Sequence, residues 1–213
     1  MSENNLTYYC PLCKSDSEKD SIDKKYYILL VKYDGLELEH IQNQTDKICE
    51  IAVRNNAYAL QFVKNQTDEI CKIAVQRNGF VLKYVKNQTD EICKLALQYS
   101  YRVLEHIQNQ TEELCKIAIN QSYLALEYVK NQTDELCKIA VAKDGYALQY
   151  VKNQTDEICE IAVAQDGDVL KFVKNRTHEI QKIAAYQINK KPINYNSSRF
   201  RFFNIFCFKT FDS

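Results

Sequence analysis

The sequence predicts an all-α fold, an α-solenoid of stacked antiparallel helix pairs with a 22-residue period. Three observations predict it. Asn-Gln-Thr recurs at fixed spacing and puts Thr45, Thr67, Thr89, Thr111, Thr133 and Thr155 on one phase, with Asn-Arg-Thr at Thr177. Cysteine keeps its own phase from Cys49 to Cys159 before giving way to Gln181, and alanine does the same from Ala52 to Ala184. All four glycines, Gly35, Gly79, Gly145 and Gly167, fall at one repeat position, while Pro11 and Pro192 lie outside the array. Near-identical units at such a period mark an array in which each unit covers the next.

Thr67 to Gln88 stands for the other repeats. Thr67 suits an N-cap, and Asp68 and Glu69 follow where the positive end of a helix favours acid. Ile70, Cys71, Ile73, Ala74 and Val75 then form an apolar stripe at helical spacing, and Asp68 with Lys72 is the expected i,i+4 pair. Asn78-Gly79 reads as a left-handed C-terminal cap after about three turns. A second helix is expected from Phe80 to Lys86, with Val81, Leu82, Tyr84 and Val85 apolar, and Asn87 as a left-handed stop. Neither element reaches the roughly 12–15 residues an isolated helix needs in water, so stacking is obligatory. The expected arrangement is a right-handed stack of α-hairpins. The repeated alanine fits a close approach of helix axes: Ala118→Leu should cost roughly 1–3 kcal/mol by overpacking. Truncating Leu126 to Ala should cost roughly 2–5 kcal/mol.

The array is expected to span residues 23–188, about seven repeats plus terminal helices. Asp23 to Asp34 fits the first-helix register with Asp23 as N-cap, an N-terminal capping helix. Thr177 to Ile188 is the last such helix, and Gln181 in place of cysteine suggests a solvent-facing end. Residues 1–22 form a polar leader, expected to be flexible, and residues 189–213 a Phe-rich basic tail. That tail holds six of the nine phenylalanines, Phe200, Phe202, Phe203, Phe206, Phe208 and Phe211. The leading expectation is that it folds back over the open end of the stack. Docking to a partner, or an interfacial membrane anchor with Arg199, Arg201 and Lys209 beside the rings, are the alternatives.

Composition narrows the function classes. With 28 Lys+Arg against 28 Asp+Glu the net charge is zero, which disfavours a general binder of nucleic acid or anionic membrane. The polar first residues lack the pattern of a secretory signal, and no apolar run approaches the roughly 18 residues needed to span a bilayer. An intracellular, non-secreted protein is expected, its nine cysteines reduced. Stacked layers roughly 8–10 Å apart keep Cys71 from bridging to Cys93, because disulfide-linked Cα atoms lie within about 7 Å. Small buried apolar residues is therefore the reading of the ladder. Cys10-Pro11-Leu12-Cys13 has the spacing of half a zinc site, but the other half is missing, so no metal is assigned. Asn-x-Thr also matches a glycosylation acceptor, yet helix capping accounts for the threonine. His40 and His106 stand where other repeats carry a half-buried ring, and His178 replaces an acid, so the three share no site. No catalytic, cofactor-binding or metal-binding residue is assigned, and no enzyme is expected.

The unit Thr-Asp-Glu-Ile-Cys-Lys-Ile-Ala-Val, continued by Asn-Gly-Phe-Val-Leu-Lys-Tyr-Val-Lys-Asn-Gln, resembles the short 22-residue helical repeats of uncharacterised proteins of mimivirus-like giant DNA viruses. The resemblance covers roughly Asp23 to Ile188. It implies a repeat fold in the host cytoplasm or the virion, and it brings no activity, cofactor or partner.

A long repeated surface suits binding to another macromolecule, so a non-enzymatic scaffold for protein–protein interaction is the expected function. The turn between the two elements varies most, as in Arg54-Asn55-Asn56-Ala57-Tyr58 against Gln98-Tyr99-Ser100-Tyr101-Arg102, while the Lys-Asn-Gln-Thr edge is nearly constant. The variable edge is the expected reader, against drift of a loop on which packing imposes nothing. RNA binding is the alternative. Lys64, Lys86, Lys130, Lys152 and Lys174 form a basic row, but Asp68, Asp90, Glu112, Asp134 and Asp156 stand on the same edge and would repel phosphate.

Overall fold

The computed structural model describes residues 16–190, with side chains from Asp23 onward. The Cys10 to Cys13 motif and the phenylalanines from Phe200 to Phe211 lie outside these residues. Among the described residues, eight α-helices alternate with seven 3-10 helices and there is no strand. The fold is a helical repeat, in two compact units divided between Ala140 and Val141.

The first unit contains α1 (Asp16–Tyr33), η1 (Gly35–His40), α2 (Asp46–Asn55), η2 (Ala57–Phe62) and α3 (Asp68–Arg77). It continues with η3 (Gly79–Tyr84), α4 (Asp90–Leu97), η4 (Tyr101–His106), α5 (Glu112–Gln121) and η5 (Tyr123–Tyr128). The boundary falls inside α6 (Asp134–Lys143). The second unit contains η6 (Gly145–Tyr150), α7 (Asp156–Gln165), η7 (Gly167–Phe172) and α8 (His178–Lys190). In the first unit α1 to α4 each pack on the following α-helix, α2 to α5 each pack on the 3-10 helices to either side, α1 packs on η1, and successive 3-10 helices from η1 to η5 also touch. In the second unit α7 packs on α8, and η6 on η7.

The α-helices begin as expected. Thr67 is extended and its Oγ1 accepts from the Ile70 N–H at 3.3 Å, and Thr45, Thr89, Thr111 and Thr155 repeat that bond. Ile70, Cys71, Ile73, Ala74 and Val75 are all buried, and no charged or polar residue is buried among the described residues.

The second element differs from the expected α-helix. It is a six-residue 3-10 helix, long for that type. Its buried residues explain the geometry. Gly79, Leu82 and Val85 recur every third residue, and side chains three apart eclipse in a helix of three residues per turn. Val81 N–H donates to Asn78 O at 3.1 Å and Val85 N–H to Leu82 O at 3.0 Å, the tighter ladder.

The caps between the elements are also not left-handed. No described residue, glycine included, has positive φ. Asn78 is extended, at φ −153 and ψ 106, and serves two elements at once. Its N–H donates to Ala74 O at 3.1 Å to end α3, and its Oδ1 accepts from the Phe80 N–H at 3.0 Å to start η3. Gly79 is needed for space instead. A Cβ there would stand 2.6 Å from Ala96 O and 2.7 Å from Tyr99 Cβ in the following repeat.

Two further expectations change. The helix expected from Asp23 begins at Asp16, inside the leader, because residues 16–22 hold no glycine or proline to stop it. Lys72 pairs at 2.8 Å with Glu91 of the next repeat rather than with Asp68, and Lys94 with Glu113 likewise. Lys116 of α5 closes on its own helix instead, with Glu112 at 2.7 Å, as does Lys182 of α8 with Glu179 at 3.9 Å.

Candidate interaction surface

The repeat presents two edges, and the constant one is built around glutamine. Gln66 lies between its own repeat and the next. Its Nε2 donates to Leu60 O at 3.3 Å and to Tyr84 O at 2.8 Å. Its Oε1 accepts from the Lys86 N–H at 2.9 Å and, at 3.7 Å, from the Cys71 thiol. Gln44, Gln88 and Gln110 make the same three backbone bonds in the first unit, and Gln154 does so in the second. One planar amide thus satisfies carbonyls of two consecutive 3-10 helices and an N–H beyond the second. Sequence reasoning explained the threonine of Asn-Gln-Thr and missed this role of its neighbour. The available signal was that glutamine recurs from Gln44 to Gln154 as regularly as the threonine.

The basic row also reaches backwards. Lys86 Nζ donates to Lys64 O at 2.9 Å, Lys174 Nζ to Lys152 O at 2.9 Å, and Lys130 Nζ to Ile107 O at 2.7 Å and Gln108 O at 3.1 Å. Lys64 holds the carbonyl and side-chain oxygen of Gln42. An open polar depression of about 210 Å³ lies between adjacent constant turns, bordered by Asn43, Asp46, Lys64 and Asn65.

The cysteines sit beneath this edge. Cys49, Cys71, Cys93, Cys115, Cys137 and Cys159 are free thiols and buried. Burial first, and then the neighbouring Asp46, Asp68 or Asp90, pushes the Cys49, Cys71 and Cys93 thiols up to about 11. Burial raises Cys115 and Cys159 as well. These groups are protonated at neutral pH and act as packed apolar residues rather than nucleophiles. Among the described residues, no group of three or more His, Cys, Asp or Glu side chains is placed to hold a metal ion.

The variable edge needs far less from its sequence. A short polar side chain accepts from the N–H two residues on: Asn56 from Tyr58, Ser100 from Arg102, Ser122 from Leu124, and Asp144 from Tyr146 in the second unit. Beyond the cap, rings from successive repeats meet. Tyr58 lies 6.4 Å from Tyr84, edge to face, and Phe80 lies 5.7 Å from Tyr99 and 6.1 Å from His106. In the second unit Tyr146 meets Phe172 at 5.9 Å, with the Lys171 ammonium about 5 Å from both ring centres. Tyr58 and Tyr99 remain 40% and 53% exposed. His106 is half-buried among these rings as expected, whereas His40 and His178 are exposed.

No helix among the described residues is long and apolar enough to cross a membrane. No family model, no curated protein and no solved structure matches the chain.

Proposed function

We propose that the chain is a non-enzymatic scaffold that binds another protein through its variable edge. The observation that carries this reading is the partly exposed row of ring pairs, in which Tyr58 stands edge to face with Tyr84 and Phe80 with Tyr99. Rings preorganised in this way lose little freedom on binding, and tyrosine offers both a large apolar face and a hydroxyl. Residues on this edge change from repeat to repeat, which suits recognition of one extended partner. RNA binding is the weaker reading. The exposed lysine row favours it, but Lys64, Lys86, Lys130 and Lys174 already donate to carbonyls of the preceding turn, and acids line the same edge.

Affinity capture with the full chain, beside a Tyr58→Ser, Tyr99→Ser, Arg102→Ser variant of unchanged melting temperature, tests the proposal. Proteins retained by the parent and lost by the variant are expected. Equal recovery by both, or salt-dependent retention on RNA by both, would overturn it.

A further inference from the structure

The fourth residue of every 3-10 helix is leucine. In six of the seven, Leu38, Leu60, Leu82, Leu104, Leu126 and Leu148, it is 0% exposed. Leu170 of η7 is the exception and is only partly buried. Within the second unit the reason is plain: η6 has η7 beside it, and η7 has α8 but no following 3-10 helix among the described residues. The opening extends onto α8. Ile188 lies against the start of η7, where a Cβ on Gly167 would come 2.8 Å from its Cγ1, yet Ile188 is 44% and Tyr186 59% exposed.

The sequence of this repeat also breaks pattern. Arg176 replaces the glutamine that would tie the next 3-10 helix. Ile188-Asn189 stands where an Asn, Asp or Ser cap followed by Gly, Ala or Tyr would start it, and α8 runs to 13 residues. At the second position of the 3-10 helix, occupied elsewhere by Leu, Tyr, Phe or Arg, η7 carries the exposed Asp168. The chain then continues from Lys190 for 23 residues that contain six phenylalanines and four basic residues against one acid.

We propose that the open face made by Leu170, Tyr186 and Ile188 is the docking site of the chain's own segment 191–213, whose phenylalanine rings occupy the place a following 3-10 helix takes in earlier repeats. Reach is ample, since 23 extended residues span roughly 75–80 Å. Charge is complementary, with Arg199 and Arg201 beside the rings and Asp166 and Asp168 on η7. The occupied face closes this end to addition of another copy, as a terminal cap must.

Methyl-to-aromatic NOE spectroscopy on the full chain tests this. Leu170 and Ile188 methyl groups are expected to show cross-peaks to phenylalanine rings of the segment at every protein concentration. A sample mixing methyl-labelled chains with chains protonated only at phenylalanine is expected to show none. Cross-peaks confined to the mixed sample would assign the face to a second copy and overturn the proposal, as would their absence from both samples. As a second measurement, Phe202→Ser, Phe203→Ser, Phe206→Ser in the full chain should speed amide exchange in η7 and α8 by roughly tenfold and leave η3 unchanged. Unchanged exchange in η7 and α8 would also overturn the proposal.

Discussion

Two turns punctuate each repeat, and they tolerate very different amounts of sequence change. At the turn before α2, α3, α4, α5 and α7, one glutamine must reach two carbonyls and an N–H at once, and only a neutral planar amide on a two-carbon stem supplies that set. At the turn after the α-helix, the requirement is a single acceptor one or two bonds beyond Cβ, which Asn, Ser and Asp all provide. The difference teaches that constancy along this chain measures how many backbone groups a side chain must satisfy. The drift of the variable edge is therefore physically permitted, and its use as a binding surface is a separate matter for capture experiments.

Gln66→Glu attacks the demanding turn and should have the largest effect. It places a carboxylate against Leu60 O and Tyr84 O, removes both donated bonds, and should cost roughly 2–5 kcal/mol by denaturant midpoint. Part of that should return at acid pH, where the protonated side chain donates once. Gly79→Ala comes next, at roughly 1–3 kcal/mol, because the obstructing Ala96 O is backbone and cannot swing away.

The thiols beneath the glutamines add a pH signature. Their folded pKa is raised to about 11 from roughly 8.5 in the unfolded chain, so the folded state holds their protons more tightly. Their contribution is fully present below about pH 8.5 and is lost as pH rises toward 11. At pH 9.5, iodoacetamide should label the native chain far more slowly than the chain in denaturant; equal rates would contradict the burial.

The permissive turn should respond to chemistry rather than identity. Asn78→Ala should cost roughly 0.5–2 kcal/mol, while Asn78→Ser and Asn78→Asp stay within about 0.5 kcal/mol of the parent. If Ser costs as much as Ala, the contrast between the turns fails. Smallest is Glu91→Gln, which breaks the exposed Lys72 pair and should change stability by at most about 1 kcal/mol, less in high salt.

Much of the fold was legible because the repeat reports it many times over. Thr67 as a cap and Cys71 as a buried, unbridged thiol each follow from residue type and phase, and each holds. The 3-10 geometry was written in the three-residue spacing of Gly79, Leu82 and Val85, but Val81 and Tyr84 blur that spacing into something an α-helix could also display. Gly79 was misread because the usual reason for a glycine after a helix is positive φ, and its real neighbour, Ala96 O, is 17 residues away. The Lys72–Glu91 and Lys94–Glu113 pairs and the glutamine bonds to the next repeat likewise join residues about 20 apart, which no local window connects. At α1, Tyr26 holds the position of Ile48, Ile70 and Ile92, each at most 1% exposed, yet is 53% exposed itself. Its aromatic replacement in the sequence marked that helix as an end of the array, and no 3-10 helix precedes it among the described residues.

Because Gln66 bonds only to its own repeat and the one that follows, the array has no fixed length built into it. Excision of 67–88 would present Gln66 with His106 O and the Gln108 N–H, chemically the same backbone groups that Gln88 bonds now. Gene slippage by whole periods can therefore lengthen or shorten such a chain without inventing a new junction, whereas a loss of 11 residues would set an α-helix against the wrong neighbour.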